Sequence, residues 1–144
     1  KKKTIMKFLC LITFSLVSLA SFAQIEDYKS VAQTLNYYLD GGTNNDLPTL
    51  QKAFHKDAMV KWVNDEKQYQ EKSASEFFGG MKPGPKSNRK TRIENINISG
   101  HAANAHVVIE FPDFEFNDYM TLLKIEGEWK IVTKIFYGEK KINA

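Results

Sequence analysis

The chain has 144 residues, 20 Lys and Arg against 17 Asp and Glu, a net charge of +3 and one cysteine. That length allows one compact domain with a real core. The charge lacks the concentrated basic face that nucleic acid requires, and a lone Cys10 excludes an internal disulfide.

The chain starts with the basic stretch "KKKTIMK", followed by an uncharged run from Phe8 to Phe22. A helical span needs about 20 apolar residues, and this run is shorter. A basic start, a short apolar run and small residues at its end describe a secretory signal. Ser21 and Ala23 stand at the −3 and −1 positions, so cleavage is expected after Ala23. Without residues 1–23 the chain loses Lys1, Lys2, Lys3, Lys7 and Cys10, leaving 121 residues with a net charge of −1. The expectation is an exported protein, periplasmic or secreted. It has no membrane segment after cleavage, no nucleic-acid partner and no cysteine chemistry.

Ile25, Tyr28, Val31, Leu35, Tyr38 and Leu39 recur every three or four positions, which predicts a helix from Ile25 to Asp40. Gly41-Gly42 reads as its stop. Asn45 or Asp46 then caps a short second helix, with Pro48 in its first turn and its end near His55. "AMVKWV" (58–63) and "QYQ" (68–70) are strands joined by a turn at "NDEK". Ser73 with Glu76 three residues on is a capping box for a third short helix ending at Gly79-Gly80. "KPGPKSN" is loop. The rest is strand: "RKTRIENINI", "NAHVVIEF", and a hairpin over 118–137 that turns at Glu126-Gly127. Helices first and a meandering sheet after predict an α+β arrangement, with helices on one face of an antiparallel, mixed-edge sheet.

Two segments, "YYLDGGTNNDLPTLQKAFHKDA" (37–58) and "DYMTLLKIEGEWKIVTKIF" (118–136), carry a resemblance to the nuclear transport factor 2-like superfamily. Within it the chain is most similar to the bacterial group called putative lumazine-binding, over residues 25–138. The resemblance implies a cone-like fold, a pocket between the helices and the concave sheet face, and a homodimer through sheet faces. It also implies that the Trp129/Ile131 side of the hairpin is the concave one. No residue set here demands a pteridine.

An unbulged turn at Glu126-Gly127 pairs Lys124 with Trp129, Leu122 with Ile131, Met120 with Thr133 and Asp118 with Ile135, all on one side. The other side carries Tyr119, Thr121, Leu123, Lys130, Val132, Lys134 and Phe136. A single bulge would turn one strand over beyond it. Both sides are apolar, and an open antiparallel sheet normally leaves one face polar. The second face is therefore expected to be covered, in keeping with a dimer.

Asp118 is the candidate general base, since an inward carboxylate in apolar surroundings has its pKa raised. The alternative puts it in a strand-start turn, solvated or paired to a backbone amide. His55 is the second candidate, as a proton carrier at a cavity mouth or as a cation complementing a helix C-terminus. Tyr38 and Trp62 are the aromatics most suited to stacking on a flat ligand, with Met120, Leu122, Trp129 and Ile131 as aliphatic and aromatic lining. No metal is predicted, because His101 and His106 fall on opposite strand faces, and His106 lies roughly 13 Å along the strand from Glu110. No cofactor motif appears. The preferred reading is a domain that binds a small, partly apolar molecule without catalysis. The competing readings are a dehydratase, isomerase or hydrolase using Asp118 or His55, and a dimeric structural module whose cone is filled by its own side chains.

Overall fold

The computed structural model describes residues 24–141, so the leader read over 1–23 lies outside the described residues. Helix α1 (residues 24–43) buries Val31, Leu35, Tyr38 and Leu39, while Ile25 and Tyr28 at its start stay exposed. It runs through Gly41-Gly42, which the sequence suggested would end it. The reason is close approach. A Cβ on Gly41 would stand 2.4 Å from the Leu50 backbone nitrogen, and one on Gly42 would stand 2.4 Å from an Arg89 guanidinium nitrogen.

Helix α2 (Leu47–Gln51) is capped by Asp46, whose carboxylate accepts from the Thr49 amide, with Pro48 in the first turn. It ends four residues before His55, because the chain is already captured by the sheet at Ala53, whose carbonyl accepts from the Ile131 amide at 2.8 Å. His55 therefore belongs to strand β1 (Phe54–Val63) and not to a helix C-terminus. Strand β2 (Tyr69–Ser73) pairs back on β1, and helix α3 (Ala74–Phe78) follows with the Ser73/Glu76 capping box formed.

The remaining strands are β3 (Lys90–Ser99), β4 (Ala102–Glu110), β5 (Phe114–Ile125) and β6 (Glu128–Lys140). The six-stranded sheet has the order β2-β1-β6-β5-β4-β3, antiparallel except for the parallel β1·β6 pair. This is the α+β architecture expected. One face carries α1 and the core, in which Val31 and Leu35 meet Val107, Met120, Leu122 and Ile131. A second buried cluster, Ala58, Val60 and Ala74, lies under α3. Segment 79–89 then carries the chain from the β2 edge of the sheet to the β3 edge.

The β5·β6 hairpin begins in the expected register, Lys124 with Trp129 and Leu122 with Ile131. Beyond that, Thr121 pairs with Thr133, Met120 with Lys134 and Asp118 with Phe136. Val132 is an extra residue on β6, a bulge that turns the rest of that strand over. Thr133 and Ile135 consequently leave the core side, and Lys134 and Phe136 enter it. The outer face presents Tyr119, Leu123, Ile135 and Tyr137, with Val63 and Tyr69 beside them, all exposed.

Candidate functional site

β5 alternates Asp118, Met120 and Leu122 into the core, and α1 brings Tyr38 opposite. Asp118 has no exposed surface. Its Oδ2 accepts from the Tyr38 hydroxyl at 2.6 Å and its Oδ1 from Lys134 Nζ at 2.7 Å. Asp118 and Lys134 are diagonal neighbours on one face, a placement that depends on the Val132 bulge. Lys134 Nζ also lies 4.0 Å from the Phe136 ring centroid, within cation–π range. Among the described residues, every fully buried side-chain nitrogen and oxygen has a partner.

A cation, an anion and a phenol are thus enclosed together. Burial pushes the Lys134 ammonium below the usual lysine value, against the opposing pull of Asp118. Burial and the Asp118 charge hold the Tyr38 hydroxyl well above the usual tyrosine value. Arg89 adds a second partly buried cation: Nε donates to Thr43 Oγ1 at 2.9 Å and Nη2 to the Leu39 carbonyl at 3.0 Å. Burial lowers its pKa, while Tyr38 and Asp118 oppose the shift.

Rings surround this cluster. Tyr38 makes edge contacts with Phe54 and Phe78, and Phe136 stacks on Trp62 at 5.8 Å and 26°. Phe54 and Phe78 also line a surface cleft of about 340 Å³, together with Leu50, His55, Lys56, Ala74 and Ser75. His55 accepts from the Asp57 amide at 3.2 Å, and no hydrogen bond or ion pair among the described residues joins it to Asp118.

The six residues expected to line a pocket are distributed differently. Tyr38, Met120, Leu122, Trp129 and Ile131 are all buried in the core. Trp129 also borders a cleft of about 600 Å³ between α1 and the hairpin, and its Nε1 donates to Asp27 Oδ1 at 3.1 Å. Trp62 is half-buried, with one ring face on Phe136 and its edge on Phe77. Among the described residues, no three His, Cys, Asp or Glu side chains group as metal ligands, and no helix is long and apolar enough to cross a membrane.

The family model for putative lumazine-binding proteins matches residues 26–137. The chain belongs to this family. Two solved nuclear transport factor 2-like proteins of unknown function share its fold. One, from Shewanella baltica OS155, is 27% identical with a TM-score of 0.73, covering 81% of this chain and 97% of its own. The other, from Methylobacillus flagellatus KT, is 29% identical with a TM-score of 0.69, covering 80% and 94%. A relative, Aldolase FrzH of Cladobotryum sp, is 24% identical over 115 residues, 78% of this chain and 91% of that protein.

Sequence reasoning offered an inward Asp118 beside a solvated alternative, and it assigned Lys134 to the opposite face of the hairpin; the structure takes the inward placement and moves Lys134 beside it. That reasoning did not connect Tyr38 to either, and it read Arg89 as no more than the start of a strand. Lys134 is one of two lysines in the middle of β6, and nothing local sets it apart from Lys130, which stays partly exposed.

Proposed function

We propose that this family member binds a small, partly apolar molecule inside the cone, between α1, α3 and the sheet, against the Tyr38–Asp118–Lys134 cluster. The observation that carries this reading is the enclosed charge pair. Well-packed hydrophobic residues of similar volume serve stability as well as a buried ion pair, or better. A cone that was merely filled would have no need of one. Entry is by displacement of the Phe54 and Phe78 rings, which separate the cluster from the His55 cleft. The exposed apolar strip of Tyr119, Leu123, Ile135 and Tyr137 supports a homodimer through the outer sheet face. Export with cleavage after Ala23 is part of the same proposal, on the leader sequence.

A second reading is favoured by the chemistry of the cluster: an amine, a carboxylate and a phenol are the groups a carbonyl-chemistry enzyme needs. The likeness to an aldolase supports it. Native mass spectrometry of the protein purified from an exporting host tests the first reading. A co-purifying small molecule, lost in Tyr38→Ala, is the expected result, and a ligand-free dimer that binds no apolar probe overturns it.

A further inference from the structure

We propose that Lys134 is an amine nucleophile that captures a ketone or aldehyde as an imine, with Asp118 carrying the protons. This rests on the interior binding site proposed above and names the class of molecule that site takes. The geometry is specific. Lys134 is a primary amine with a 4% exposed side chain, placed inside by a one-residue bulge in a strand whose unbulged register would expose it. Its Nζ touches a carboxylate and an aromatic face, and among the described residues no second cation stands within ion-pair distance of that carboxylate. Burial supports the chemistry by easing loss of the ammonium proton.

The steps balance. Lys134 passes one proton to Asp118 and becomes a neutral amine. Its lone pair forms the C–N bond to the carbonyl carbon, and the C=O π pair moves to oxygen. Asp118 returns its proton to that oxygen and then takes one from nitrogen, leaving a neutral carbinolamine. It then protonates the hydroxyl, the C–O bond breaks and water leaves. The product is a protonated imine on Lys134 beside an ionised Asp118, with the same total charge as at the start. The Tyr38 hydroxyl, fixed on Asp118 Oδ2, holds the carboxylate so that Oδ1 faces the amine. Tyr38 is a positioning residue.

The test uses the purified full chain with three compact carbonyl probes, benzaldehyde, phenylacetone and cyclohexanone, each with sodium cyanoborohydride at neutral pH. Adducts are located by peptide mapping of the unaltered protein, so the readout does not depend on a variant folding. Probe binding without reductant is followed in parallel by ligand-observed NMR. The expected result is one adduct at Lys134, formed about tenfold or more faster than at exposed lysines. It is abolished in Lys134→Arg and slowed in Asp118→Asn, with circular dichroism reporting the fold of each. Probes that bind but label only exposed lysines overturn the amine chemistry and leave interior binding standing. Probes that neither bind nor label Lys134 overturn both.

Discussion

Lys134 Nζ and Asp118 Oδ1 meet at 2.7 Å in a site where neither side chain is more than 4% exposed. Removing one member leaves an uncompensated buried charge, and that costs about 3–5 kcal/mol. Lys134→Met alone is expected to destabilise by that amount in chemical denaturation. The double variant Asp118→Leu/Lys134→Met is expected to recover most of the loss. Equal losses in single and double variants would show that the pair is not what sets the penalty.

Alkali tests Tyr38. Its folded-state pKa is raised above the ordinary 10.0, so its contribution is fully present below pH 10 and is lost as pH rises through the folded value. Lys134 has the opposite sign: stability is gained between its lowered folded value and 10.5. Thermal melts from pH 8 to 11 should show Tyr38→Phe losing less stability above pH 10 than the parent. An identical slope for the two proteins would refute the assignment.

Asp27 ties the start of α1 to the hairpin, accepting from Lys124 Nζ at 2.6 Å and from Trp129 Nε1. The Lys124 and Trp129 hydrogen bonds lower its pKa. That stability is present above the ordinary 3.8 and is lost as pH falls through the lowered folded value. Asp27→Asn should therefore be less stable than the parent at pH 7, by about 1–3 kcal/mol. The two curves should converge in strong acid. A constant offset down to pH 2 would contradict this.

Gly41 sits inside a helix, where Ala is normally the better residue by about 0.5–1 kcal/mol. Contact with the Leu50 backbone reverses the sign here, and overpacking of this kind costs about 1–3 kcal/mol. Gly80→Ala is the control, since a Cβ there meets nothing within 4 Å. If Gly41→Ala melts at or above the parent, α1 and α2 do not approach as described.

The dimer prediction is direct. Ile135→Asp on the outer face should give a monomer by analytical ultracentrifugation, with little change in the monomer's own circular dichroism. A parent that sediments as a monomer at micromolar concentration would end the proposal.

How much of this was legible beforehand follows from what each feature needs. Periodicity exposed the buried stripe of α1, and the Ser73/Glu76 spacing gave a cap that forms as read. These signals are local. The Val132 bulge is not: Thr121, Leu122, Ile131, Val132 and Thr133 are all ordinary strand residues, and nothing local marks the extra one. Everything beyond it, including the Asp118–Lys134 contact, was therefore hidden. Gly41-Gly42 misled for a related reason, because a glycine demanded by a neighbour 9 or 47 residues away looks the same as one that ends a helix. His55 was misplaced because β6 captures the chain at Ala53, and that pairing partner lies far along the sequence.

The crossing segment has a mechanical consequence. Its far end is pinned to the last turn of α1 by Arg89 on Leu39 and Thr43 and by the Ser87 amide on the Thr43 carbonyl at 2.8 Å, and to the turn after α1 by Asn45 on the Pro85 carbonyl at 2.6 Å. Its near end is Gly79-Gly80, just after Phe78. If α3 swings to uncover the cluster, the β3 end of the segment cannot follow, and the rotation has to be taken up between Gly79 and Gly84, where the bond from the Met81 amide to the Phe78 carbonyl has to break. The moving part in that event is α3 with Phe78 at its end, and the fixed part is the stretch held against the end of α1.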